Sequence, residues 1–101
     1  MVWKLFYYDE VLLDVRDAKK WYKEQEEGLE KRFAKDVKEC ISRLQKDPFH
    51  YEIRYKQVRL AHCAVFPFSI HFYINDDDKQ LVIIAIVHQH RHPDIAQSRK
   101  L

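Results

Sequence analysis

Apolar residues recur along this chain at two different periods, and the change between them separates a helical first half from a strand-forming second half. Trp3 to Tyr8 is aromatic and apolar apart from Lys4, which predicts a short opening strand. Val11, Val15, Ala18, Trp21 or Tyr22, and Gln25 then return at helical spacing with charges between them. They predict an amphipathic helix over residues 10–26, with Asp9 placed to cap it and Glu10 in its first turn. Gly28, the sole glycine, falls where that helix should stop and suits a left-handed cap. Leu29, Phe33, Val37, Cys40 or Ile41, and Leu44 form a second stripe, which Pro48 ends because a proline pushes its predecessor out of the helical region. Two helices joined so closely must form an antiparallel hairpin.

Beyond residue 53 the period becomes two. Arg54 to Ala64 reads as one strand, with Val58 and Leu60 framing Arg59. Phe68, Ile70, Phe72 and Ile74 alternate with Ser69, His71, Tyr73 and Asn75, the pattern of a strand buried on one face. Asn75 to Asp78 is turn chemistry, so the next strand returns antiparallel. That last strand, Leu81 to Val87, is apolar without interruption and ends in His88-Gln89-His90-Arg91-His92-Pro93. Strict alternation puts Leu81, Ile83, Ala85 and Val87 on one side and Val82, Ile84 and Ile86 on the other. The order β-α-α-β-β-β predicts an α+β fold in which a helical hairpin covers one face of a mainly antiparallel sheet. Two helices cover one face only. The doubly apolar strand therefore predicts some hundreds of Å² on the helix-free face awaiting a partner. Residues 1–101 make one domain, with the polar stretch 94–101 expected to be a flexible tail.

Composition narrows the class further. Apolar content of 47% and charged content of 34% are those of an ordinary globular domain. Net charge is only +2, but the excess and five of the six histidines (His62, His71, His88, His90, His92) lie in the second half. That asymmetry suits an anionic partner, nucleic acid or an acidic protein. The opening residues lack the apolar core of a signal peptide, no apolar run is long enough to span a bilayer, and a cytoplasmic location with no membrane partner is expected. Cys40 and Cys63 have no metal-motif spacing and read as buried, reduced residues.

Several of these segments also occur together in a known family. Trp21-Tyr22, Gly28-Leu29 followed by Phe33, Asp47-Pro48, Val58-Arg59, Phe66-Pro67-Phe68-Ser69-Ile70, and the closing His88 to Pro93 run in the same order along nearly the whole chain. In these features the sequence resembles the RelE/ParE superfamily of type II toxin–antitoxin toxins, and its Phe-Pro-Phe and His-x-His-Arg segments are closer to the ParE-like plasmid stabilisation branch. The resemblance implies the same β-α-α-β-β-β fold and a growth-inhibiting toxin, neutralised by a cognate antitoxin covering the helix-free face of the sheet. It also implies a target: DNA gyrase for a ParE-like toxin, or ribosome-bound messenger RNA for a RelE-like endoribonuclease that works without a metal or cofactor.

The two mechanisms make different demands on the residues. RNA cleavage without a metal needs a proton acceptor, a proton donor and cations around the phosphorane. For that reading Arg59 and Arg91 would grip the phosphate, with Lys56 adding positive field and His88 or His90 moving the proton. His71 and Tyr73 would present rings to a base. As a gyrase-binding surface, the set would be Lys56, Arg59, His71, Tyr73 and Arg91. Two departures weigh against the nuclease: the cations on the sheet are fewer than RelE-type nucleases carry, and Asp94 to Leu101 contains no tyrosine. The plainer alternatives are a structural His88 capping backbone groups and an Arg59 engaged across strands. Zinc held by His88, His90 and His92 is set aside, since Pro93 ends the strand and no carboxylate supports the imidazoles.

Overall fold

The computed structural model describes residues 3–90 and 94–101. Strand β1 (Lys4–Tyr7) leads into helix α1 (Asp9–Gln25), and helix α2 (Leu29–Lys46) returns against it. A 3₁₀ turn at Pro48–His50 follows, then strands β2 (Ile53–Tyr55), β3 (Val58–His62), β4 (Phe68–Asn75) and β5 (Gln80–His88), and a single-turn helix α3 (Ile95–Ser98). The five strands form one sheet in the order β1-β5-β4-β3-β2, antiparallel except where β1 runs parallel to β5. The α+β architecture expected from the periodicity is present, with the α1–α2 hairpin on one face.

Gly28 takes a φ of +90°, the left-handed region in which a side chain would be strained, and starts α2 directly after the turn. α2 turns Phe33, Val37, Cys40 and Leu44 inward, all buried. The centre of this layer is aromatic: Phe33 lies 4.8 Å from Phe68 and 5.5 Å from Phe66, and Tyr22 lies 4.8 Å from Phe66. Asp36, buried on the same helix, accepts hydrogen bonds from Phe66 N at 2.7 Å and Val65 N at 3.1 Å. The β3–β4 connection is thereby held onto α2.

Three expectations change. The segment read as one strand, 54–64, is a hairpin: β2 and β3 pair antiparallel and the chain reverses at Lys56, with φ +48°. A strand of eleven residues was the simpler reading because no glycine or Asn-Gly pair marks the turn. Next, β5 carries a bulge. His71 pairs with Ala85 but Phe72 pairs with Ile83, so Ile84 is the extra residue. The bulge shifts the alternation by one. Leu81, Ile83 and Ile86 face the helices, whereas Val82, Ile84, Ala85 and Val87 face the other way.

The third change concerns that second face, which is not bare. Ile84 and Ala85 are fully buried there, packed with Val58, Ala96 and the rings of Tyr8, Tyr55 and Tyr73. The segment expected to be a flexible tail supplies part of this cover. Arg99 makes a bidentate pair with Asp14 of α1, at 2.7 and 2.8 Å, and also donates to Ile84 O at 2.8 Å. Asp14 in turn accepts from Ile86 N at 3.1 Å. β1 stops opposite Ile83, so these two side chains satisfy the edge of β5 that no strand covers. A helix too short for a periodic pattern left no signal in the sequence. No described helix is long and apolar enough to cross a membrane.

Candidate functional site

The strands of the helix-free face form a cleft of about 410 Å³ beside α3, lined by Arg54, Leu60, His62, Ser69, His71, Val87, His88 and His90 among others. Its geometry follows from cross-strand pairing. His62 of β3 sits opposite Ser69 of β4, and His62 Nδ1 and Ser69 Oγ share a hydrogen bond of 2.7 Å. His71, two residues further along β4, shares a bond of 2.9 Å from Nδ1 to the Tyr55 hydroxyl. At the end of β5, His90 N donates to His88 Nδ1 at 3.1 Å, and the two imidazoles lie 6.0 Å apart. The His88 ring also meets Phe68 edge-on at 5.4 Å.

His71 is the perturbed group here. Burial pushes its pKa down to about 4, and the nearby Arg99 guanidinium and His62 push the same way. It is therefore neutral near pH 7, a hydrogen-bonding member of the cleft wall. Burial likewise raises the Tyr55 phenol above its ordinary value. Among the described residues no acidic side chain lines the cleft, and its lining presents Arg54, imidazoles, hydroxyls and amides together with Leu60 and Val87. Such a wall suits an anionic or hydrogen-bonding surface of a partner. Among the described residues no group of histidine, cysteine and carboxylate is arranged to hold a metal ion.

The residues singled out from the sequence do not all meet. His71, His88 and His90 line the cleft. Arg59 does not. It pairs with Phe72, whose ring belongs to the helix-side core, and its guanidinium donates to Tyr51 O and lies 5.3 Å from the centre of the Phe49 ring. Arg59 thus lies on the opposite face of the sheet from His62 and His71, because Val58 and Arg59 alternate and Val58 takes the helix-free side, whereas His88, at the end of β5, pairs with Phe68 of the helix-side core. Lys56 sits exposed at the tip of the β2–β3 hairpin. Tyr73 is half-buried against the helix-free apolar cluster, and His71 is buried, so neither ring is a free platform for a base. Arg91, with His92, lies outside the described residues.

Arg54, His62 and Ser69 were passed over in the sequence. Ser69 and His71 do share the polar register of β4, but His62 joins them only through the β3–β4 pairing. Arg54 arrives through a hairpin that the periodicity did not reveal.

Comparison with known proteins fits this architecture. The family described as the ParE toxin of the type II toxin–antitoxin system, parDE, matches residues 5–93. Among solved structures, the chain is similar to one from a chromosomal ParDE system of P. aeruginosa, with a TM-score of 0.73 and 19% identity over 86% of this chain and 96% of that one. A RelE toxin of E. coli, in complex with a peptide of the antitoxin RelB, matches with a TM-score of 0.66 and 11% identity over 99% and 97%. The RelBE2 toxin–antitoxin complex of Mycobacterium tuberculosis matches with a TM-score of 0.64 and 12% identity over 87% and 99%. A sequence search of curated proteins finds no match. With the match running over nearly its entire length, the chain belongs to the ParE toxin family of type II toxin–antitoxin systems.

Proposed function

We propose that this toxin arrests growth by binding DNA gyrase, and that a cognate antitoxin neutralises it in the cytoplasm. Family membership supports a ParE-like target over a messenger RNA. One observation carries the choice: Arg59, opposite Phe72, is on the helix side of the sheet, whereas His71 is on the other side and His88 is opposite Phe68, four residues and roughly 13 Å away along β4. A general acid–base cleavage needs its phosphate grip and its proton carrier within hydrogen-bond reach of one scissile bond. Arg59 cannot share a phosphate with those imidazoles. His71 is further unsuited to proton transfer at neutral pH, being held neutral and engaged with Tyr55.

The ribonuclease stays as a second reading on the strength of the cleft alone, where Arg54, His62 and His90 stand with no carboxylate among the described lining residues. The antitoxin partner is supported by neighbours that are themselves toxin–antitoxin complexes. An antitoxin on the helix-free face meets α3 first, so it has to surround or displace residues 95–99 to reach β5.

The deciding experiment adds purified toxin to a gyrase supercoiling reaction and, separately, to a ribosome-programmed messenger RNA. Inhibited supercoiling with intact message is expected. Cut message with normal supercoiling would replace this reading by the ribonuclease, and replacing His62 and Arg54 should then abolish cutting while replacing Arg59 does not. Inertness in both reactions, with unimpaired growth on induction, would leave a chain that binds only its antitoxin.

A further inference from the structure

Neither reading uses the outer surface of the helical hairpin. There α1 and α2 enclose a groove of about 670 Å³, lined by Lys19, Lys20, Lys23, Glu30, Lys31 and Ala34. All four lysines are exposed. Lys19 and Lys23 stand one turn apart on α1, and Lys31 joins them from the start of α2. Like charges at this spacing oppose helix formation, although carboxylates that would relieve them are close in sequence. Glu24 and Glu27 follow Lys20 and Lys23 by four residues. Among the described residues neither pair closes, and none of the four ammonium groups forms an ion pair. Glu30 does not relieve them either. It occupies the first turn of α2, where the helix dipole favours a carboxylate, and one of its oxygens is buried without a hydrogen bond. By contrast Lys35, which does not line the groove, lies 4.0 Å from Glu39.

We propose that this groove is a binding site for the phosphate backbone of a nucleic-acid duplex, which the four lysines hold without reading its sequence. The kind of partner follows from the residue types in the lining. It contains no arginine fork and no aromatic ring, so it offers neither base-edge readout nor a stacking platform for single strands. Lysine is a compact point charge suited to phosphate. An acidic protein segment gains little from such charges, because exposed ion pairs contribute weakly unless apolar anchors accompany them. Among the lining residues only Ala34 is apolar. An apolar depression of Leu5, Tyr7, Val15 and Ile41 begins beyond Lys19 and Ala34, and a protein segment would have to reach it. A duplex needs no anchor there, since each phosphate that a lysine neutralises frees condensed counterions.

The groove belongs to the helical layer and shares no residue with the histidine cleft. A duplex held there leaves the opposite face of the sheet open to a protein partner.

The experiment titrates the whole chain into a fluorescein-labelled DNA duplex of arbitrary sequence, about 20 base pairs long, and follows anisotropy between about 50 and 200 mM potassium chloride. With four phosphates neutralised, log affinity should fall against log salt with a slope of about −4, on the order of 100-fold across that range. Lys23→Glu combined with Lys31→Glu should weaken binding at the lower salt by about tenfold or more and bring the slope to about −2. Lys4→Glu combined with Lys100→Glu makes the same change of charge outside the groove and should leave both quantities nearly unchanged. So should Tyr7→Ser, in the apolar depression. Absence of binding at the lower salt, a wild-type slope shallower than about −2, or equal losses in the two charge-reversed pairs would overturn the proposal. Displacement of the duplex by a polyglutamate peptide, together with a loss in Tyr7→Ser, would overturn it in favour of an acidic protein segment. The wild-type salt slope decides even if a variant fails to fold. The reaction holds no gyrase, ribosome or antitoxin, so its result is independent of the function proposed above.

Discussion

On its helical side the sheet meets Phe33, Phe66, Phe68, Leu44 and Ile70, all buried, ring against ring and alkyl against alkyl. On the opposite side the cover is thinner. Val58, Ile84, Ala85 and Val87 lie beneath tyrosines and a four-residue helix, next to a cleft of histidines and hydroxyls. The first face rests on buried area, which is non-directional and tolerant of how it is achieved. The second depends on a few directed contacts, above all Arg99 with Asp14, because α3 brings only Ala96 fully into the apolar layer. A face that recognises a partner has to keep polar groups and access. It therefore cannot be closed by a thick apolar layer.

That contrast is open to direct attack. The largest loss is expected on the helix side. Phe33→Ala removes a fully buried ring from the centre of the aromatic cluster and should cost about 3–5 kcal/mol in denaturant unfolding. Much of a domain's total stability is of that order, so a loss below 1 kcal/mol would mean that the aromatic cluster is not the main support.

Asp14→Ala should cost about 2–3 kcal/mol, since it leaves the Arg99 guanidinium and Ile86 N without their carboxylate in a site where both side chains are only 11% exposed. It should also increase binding of a hydrophobic dye, whereas Phe33→Ala should destabilise without selectively uncovering β5. Unchanged dye binding would show that residues 95–99 hold without their anchor. Deleting 95–101 should reproduce the dye effect.

Acid tests the polar side. The folded pKa of His71, about 4, lies below its ordinary value of 6.5, so between those values the unfolded chain binds the proton and the folded chain does not. Stability from this group is therefore intact above pH 6.5, falls as the pH drops through that window, and levels off below 4. The expected loss is roughly 3 kcal/mol. Following the His71 ring by NMR checks the cause; a midpoint near 6.5 would dismiss it.

The smallest effect is expected at Arg59→Gln, which loses a hydrogen bond to Tyr51 O and the contact with Phe49, about 1 kcal/mol. Gyrase inhibition should fall less than in a variant with His62 and Arg54 replaced, given the side of the sheet on which Arg59 lies.

Much was legible from residue order alone. The helical stripe from Leu29 to Leu44, the stop at Pro48, the alternation from Phe68 to Ile74 and the unbroken strand from Leu81 to Val87 are local patterns, and each became the element its period implied. Family features spread along the chain were equally readable. Which side a residue faces was less so. Strict alternation put Ala85 on the wrong face, because one bulge at Ile84 reverses everything after it, and bulges follow from how neighbouring strands fit. Arg59 went astray by the same kind of reasoning: its position in a strand was visible, the face that strand would turn to the helices was not.

The sequence by itself determined both long helices, strands β1, β4 and β5, their order and the family, but not the β2–β3 hairpin or α3, since periodicity and motif spacing are properties of neighbouring residues. Tertiary structure alone decided what covers the helix-free face and which polar groups meet on it. Asp14 and Arg99 stand 85 residues apart, and Ile84 needed their contact to have its edge satisfied. His62, Ser69 and His71 become one cleft wall only when β3 pairs with β4. Contacts of this kind depend on chain geometry over the whole domain, and no local pattern of apolar and polar residues encodes them.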